Sequence, residues 1–138
     1  MTLSGSPCSV CSVPRPARLF LSLGGLLGLL SVAGGALAAH LPDAMFATSS
    51  GRDLAREAVQ MGMWHAPALL AVGILLCVRG RRVPLLLAGA AFALGVVLFS
   101  GAVGWTGVTG RHLGPVAPTG GSLLMLGWLL LAVDGLRR

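Results

Sequence analysis

The stretch Gly34-Gly-Ala-Leu-Ala-Ala-His-Leu-Pro-Asp43 decides how many times this chain crosses a membrane. Ala36-Leu37-Ala38 is the small-x-small pattern of a signal-peptide cleavage site, and it follows a basic and then an apolar stretch. Cut there, the chain keeps three hydrophobic spans; uncut, it keeps four. Length separates the two. A signal-peptide apolar region runs about 7–15 residues, whereas Leu19–Ala39 is 21 residues without a charge. That is enough to cross a hydrocarbon core, which takes about 20. Gly24-x-x-x-Gly28 lies within it, with Gly35 further on, and small residues so spaced let helices approach closely. The first span is therefore read as retained.

Outward from this stretch, three more apolar runs follow: Met61–Val78, Val83–Trp105, and one from about 116 to 133. The composition agrees. Of 138 residues 55% are hydrophobic and only 10% charged, against about 25% charged in soluble domains. Runs that are apolar all round exclude barrel strands, which alternate, and a helix pairs its own backbone inside a bilayer. The expected fold is an all-α bundle of four transmembrane helices over residues 19–138. Residues 1–18, rich in Ser and Pro, read as a disordered cytoplasmic tail. Its Cys8-x-x-Cys11 is weak evidence for metal or redox chemistry without a second pair.

All ten basic residues are arginines, and the formal net charge is +6. They lie in short clusters between apolar runs rather than in a stripe, which argues against nucleic acid. With the N-terminus inside, Arg15, Arg18, Arg79, Arg81, Arg82, Arg137 and Arg138 fall on the inner side, and Arg52, Arg56 and Arg111 on the outer. Seven against three predicts both termini in the cytoplasm. The first outer loop holds Ser-Gly-Arg-Asp-Leu-Ala-Arg-Glu-Ala-Val-Gln (50–60), which predicts a short helix lying at the outer interface or leading into the second span. Pro67 should bend any such continuous helix around Trp64 to Ala66. Trp64 and Trp105 are expected near the outer interface, Phe20 and Trp128 near the inner.

Laid out in this order, "GALAAHLPD", "AVQMGMWHAPALLAVGILL", "ALGVVLFSGAVG" and "GPVAPTGGSLLMLGWLLLA" resemble the family called domain of unknown function 423. These are YgdD-like small inner-membrane proteins, with eukaryotic relatives called transmembrane protein 256-like. The resemblance covers roughly Leu19 to Ala132, and "LFSG" followed by "GPVAPTGG" carries it most specifically. It implies four helices in the bacterial inner membrane with the first span kept, and it matches His40 and His65 to the family's two histidines. The chain departs from the pattern at Pro67 and at Gly104, where an aromatic often stands. The resemblance implies topology and no chemistry.

Candidate chemistry centres on the histidines. Antiparallel packing predicts His40, His65 and His112 on the outer side, with Met45, Met61 and Met63 nearby. This is a weak candidate set for copper or zinc, because no ligand spacing is fixed. His40, Glu57 and His65 form a candidate polar cluster for handling protons, the task to which imidazole is suited, although no acid sits at the middle of any span. Ser100 lacks a nucleophile elbow. It reads as part of a small-residue contact surface, with its hydroxyl bonded to its own helix. Gly95, Gly101, Gly104, Gly120 and Gly121 complete the small residues expected at helix contacts, Gly120-Gly121 being a turn and helix entry rather than a phosphate loop. No cofactor is expected. The sequence reads as a non-enzymatic membrane protein acting through helix contacts with lipid, a second copy or other membrane proteins. The alternative is transport of a small solute or ion, with His40 and His65 at the outer mouth.

Overall fold

The computed structural model describes residues 13–136. Four helices follow one another: α1 (Arg15–His40), α2 (Gly51–Arg79), α3 (Val83–Thr109) and α4 (Val116–Leu136). A single 3-10 turn, Asp43–Met45, lies between α1 and α2. All four helices are long and apolar enough to cross a membrane, and among the described residues there is no strand.

The helix ends follow local chemistry. α1 begins at Arg15, with Pro16 in its first turn, where a missing N–H costs nothing and the fixed φ suits a helix. The segment read as disordered thus gives its last four residues to α1. Cys8 and Cys11 lie outside the described residues, as do Arg137 and Arg138. α2 ends at Gly80, whose φ of 76° only glycine takes readily. α3 ends at Gly110 in the left-handed region, with the Gly110 N–H donating to the Thr106 carbonyl at 2.8 Å.

The short interfacial helix expected in the first loop is not a separate element. Residues 51–60 are the opening turns of α2, which runs unbroken through Pro67 to Arg79. At 1.5 Å per residue this 29-residue helix is about 44 Å long, well beyond a hydrocarbon core of about 30 Å. The charged residues Arg52, Asp53, Arg56 and Glu57 occupy that excess length, so the helix continues where the apolar run does not.

α1 packs on α2, α2 on α3 and α3 on α4, while α1 meets α3 at only a few positions. The core is held by Leu69, Val72 and Leu76 of α2 and Leu85 and Phe92 of α3. Phe20 and Leu124 join it from the outer pair. Between apolar helices in lipid there is little hydrophobic gain to be had, so close packing must hold them. Glycine supplies that closeness. A Cβ on Gly120 would lie 2.5 Å from the Phe99 backbone nitrogen, and one on Gly95 would lie 2.7 Å from Leu124. Gly24, Gly28 and Gly35 face Leu70, Ala66 and Val59 of α2, and Gly104 and Gly121 make ordinary contacts with Ala58 and Phe99. Gly101 does not belong with them: nothing lies within 4 Å of the place its Cβ would take. The closest approaches that the spacing did not single out are Gly51 on Gly107, Gly62 on Ser31, Gly73 on Leu21, Gly89 on Phe20, and Gly127 on Phe92.

Candidate functional site

His65 is the fifteenth of the 29 residues of α2, and so stands at mid-helix rather than near its outer end. Its side chain is buried. Nδ1 lies 2.8 Å from the Met61 carbonyl oxygen one turn earlier, and the Trp128 Nε1–H of α4 donates to Nε2 at 3.2 Å. An indole N–H can only donate. Nε2 must therefore carry the lone pair and Nδ1 the proton, which leaves a neutral imidazole with both nitrogens engaged. Phe92 of α3 completes the group. Its ring lies 5.6 Å from that of His65 and 5.1 Å edge-on from that of Trp128, within the range of favourable aromatic pairs. Three helices are thus tied at one depth by a histidine, a tryptophan and a phenylalanine.

This placement overturns the expected pairing of His40 with His65. A Cβ on Gly28 would touch the Ala66 side chain at 3.8 Å, which puts His65 about level with Gly28. His40 is twelve residues further along α1, about 18 Å away along the axis. Glu57 is exposed and sits eight residues before His65, about 12 Å along α2. His40 and His112 are exposed at the same end of the bundle, but His65 does not join them. The expected triad of metal-ligating histidines and the polar cluster of His40, Glu57 and His65 are therefore not assembled, and the proposed mouth is missing one of its two histidines. The cause is the start of α2 at Gly51, ten residues before its apolar run. Trp128 likewise lies level with His65 rather than at an interface.

Ser100 is also corrected. Its hydroxyl donates to the Ala58 carbonyl of α2 at 2.7 Å rather than to its own helix, linking α3 to α2. Among the described residues every buried side-chain nitrogen and oxygen has a partner.

Two charged groups close the ends of the bundle. Where α1 ends, Arg52 of α2 reaches back across the loop. Its Nη1 donates to the Ala38 carbonyl, its Nη2 to the Leu41 carbonyl at 2.6 Å, and both Nε and Nη2 to Asp43 Oδ1. The guanidinium also lies 4.9 Å above the Phe46 ring. The last carbonyls of a helix lack intrahelical partners and carry negative partial charge, so a cation there is well placed. Beside this clasp an open hollow of about 610 Å³ is lined by Asp43, Thr48, Ser49, Arg52 and Asp53, among others.

At the opposite end Asp134 of α4 is buried, its side chain 1% exposed. Arg79 Nη1 donates to its Oδ2 at 3.0 Å and Arg82 Nη1 to its Oδ1 at 3.4 Å. Sequence reasoning ended the last span just short of this residue. The signal was there in the spacing: Gly120, Leu124, Gly127 and Asp134, the buried residues of α4, recur at steps of four, three and seven and so form one helix face.

A family profile described as protein of unknown function (DUF423) matches residues 34–121. The chain belongs to the DUF423 family. A UPF0382 membrane protein of Staphylococcus haemolyticus is 33% identical over 118 residues, covering 85% of this chain and 94% of the relative. One from Staphylococcus epidermidis is 31% identical over 122 residues, covering 87% and 97%. The UPF0382 membrane protein YwdK of Bacillus subtilis is 29% identical over 126 residues, covering 87% and 98%. No solved structure matches the chain. This DUF423 chain is thus a membrane protein whose four helices contact the lipid bilayer, and its relatives are named by location rather than by activity.

Proposed function

We propose that this DUF423 protein is a non-enzymatic component of the bacterial inner membrane that works by receiving a transmembrane helix of another chain, with both its own termini in the cytoplasm. The observation that carries the reading is an open groove between α1, α2 and α3. It has a volume of about 360 Å³ and is lined by Leu27, Leu30, Ser31, Gly62, Val97 and Gly101, among others. Its wall includes the one expected contact glycine that meets nothing in its own chain, Gly101. Small residues on an uncovered wall allow a second helix to come close. α1 and α4 also leave most of their length uncovered: only 17% of the most apolar stretch of each is buried. The polar groups that a transport path needs are consumed internally, His65 by Met61 and Trp128, Ser100 by Ala58. The arginine bias supports the orientation.

The test is crosslinking in intact membranes, with Cys8, Cys11 and Cys77 replaced by Ser and single cysteines placed at Leu30, Val97 or Gly101. A discrete adduct from these positions, absent when the cysteine is placed at Val78 instead, is expected. Its mass distinguishes a second copy from another protein. Monomer alone at every groove position overturns the proposal.

A further inference from the structure

The end of the bundle that holds Asp134 is strongly basic. Arg15 and Arg18 open α1, and Arg79, Arg81 and Arg82 form the turn between α2 and α3. They share one end, since a Cβ on Gly73 of α2 would lie 3.2 Å from the Ala17 carbonyl. The chain has four acids; Asp43, Asp53 and Glu57 are at the other end, so Asp134 alone opposes these five arginines. That acid does not simply neutralise them. Its two oxygens hold Arg79 and Arg82 through Nη1 of each, and Arg79 Nη1 also reaches the Asp134 carbonyl oxygen at 3.4 Å. Both guanidiniums are thus held at one carboxylate, with their Nε and Nη2 donors left out of these bonds. Both arginines stay more than a third exposed, at 39% and 36%. The surroundings are apolar: Val78, Val83 and Leu136 next to this turn are among the most exposed large apolar side chains. The guanidiniums therefore emerge where hydrocarbon gives way to headgroups.

We propose that this end is a binding site for the phosphodiester headgroup of an anionic glycerophospholipid, gripped by Arg79 and Arg82 braced on Asp134 and drawn in by Arg15, Arg18 and Arg81. Guanidinium forks match phosphate oxygens in pairs, and basic pockets between transmembrane helices take acidic headgroups. The acyl chains lie along the exposed valines and leucine. The brace lowers the entropy lost on binding, because the two arginines are ordered beforehand. Arginines that serve only to orient the chain during insertion need no such brace.

The test uses the full chain in neutral detergent, with retained lipid counted by native mass spectrometry against phosphatidylglycerol, phosphatidylcholine or inorganic phosphate. Phosphatidylglycerol is expected to be held in preference to phosphatidylcholine. The preference should fall about fivefold for each arginine removed, thus about 25-fold in R18Q/R81Q, which leaves Asp134 paired. It should also fall in R79Q/R82Q/D134N, which leaves no buried charge unpaired, and it should survive R111Q at the opposite end. Equal retention of the two lipids overturns the site. So does a preference untouched by both arginine variants, or one that R111Q lowers as much, which reports net charge only. Retention of inorganic phosphate as tight as that of the lipid assigns the arginines to a soluble anion and overturns the lipid proposal.

Discussion

The two ends of the bundle use the same pair of charges in opposite ways. At one end the arginine is the enclosed partner: the Arg52 side chain is 20% exposed and Asp43 is 93% exposed. At the other the acid is enclosed, and its arginines reach the surface. Arg52 divides its bonds evenly between two backbone carbonyls and Asp43, so half of the clasp stands without the acid. Asp134 has its oxygens on Arg79 and Arg82, so the arginines are indispensable to it. The difference teaches that an ion pair's worth lies with the member removed from water, not with its length. Both pairs are short, and only one stakes a buried charge.

The sharpest way to break this comparison is at Asp134. Arg79→Ala with Arg82→Ala leaves a buried carboxylate unpaired, and unfolding in mixed micelles should show a loss of about 3 kcal/mol. Adding Asp134→Asn should recover part of it. If the double variant is as stable as the parent, the carboxylate is not enclosed. Next comes Gly51→Val at the Arg52 end. Its Cβ would run into the Gly107 carbonyl, so the start of α2 must part from the end of α3 at about 1–3 kcal/mol. Gly101→Ala, with open space around it, should cost almost nothing in the same assay. Trp128→Phe removes the donor to His65 between the two ends, and hydrogen bonds within membranes average about 0.6 kcal/mol. A loss near that size is expected by chemical unfolding, and one above about 2 kcal/mol would show that the aromatic group also sets the packing of α4 on α3. Smallest is Asp43→Ala, where an exposed pair is worth about 0–1 kcal/mol. Its melting curve should overlay the parent's, and a clear drop would show that the clasp does not stand without the acid.

The four spans were legible because each is apolar all round, a pattern only a bilayer rewards. Their ends were not, because hydropathy marks where lipid contact stops and not where a helix does. Gly51–Gln60 is polar enough to end an apolar run yet stays helical. These turns, not the apolar run, pack beside the end of α1, which leaves His65 level with Gly28 and apart from His40. Glycine spacing showed that close contacts exist without telling which partner each would meet. Gly24, Gly95 and Gly120 found neighbours, Gly101 found none, and Gly62 and Gly107 became visible only once helices were docked. The hydroxyl of Ser100 chose Ala58 for the same reason: its partner is 42 residues away. Asp134 was within reach, since its stripe is local, but an acid next to the end of an apolar run invites being left outside it.

The clasp at Arg52 bears on the fate of the leading segment. Ala36-Leu37-Ala38 lies within the final turns of α1, and the peptide bond that a signal peptidase would sever follows Ala38, whose carbonyl oxygen the Arg52 guanidinium holds. To reach that bond a protease must first uncoil the helix and then pry the arginine loose. Once α2 has docked, the neighbour guards the junction.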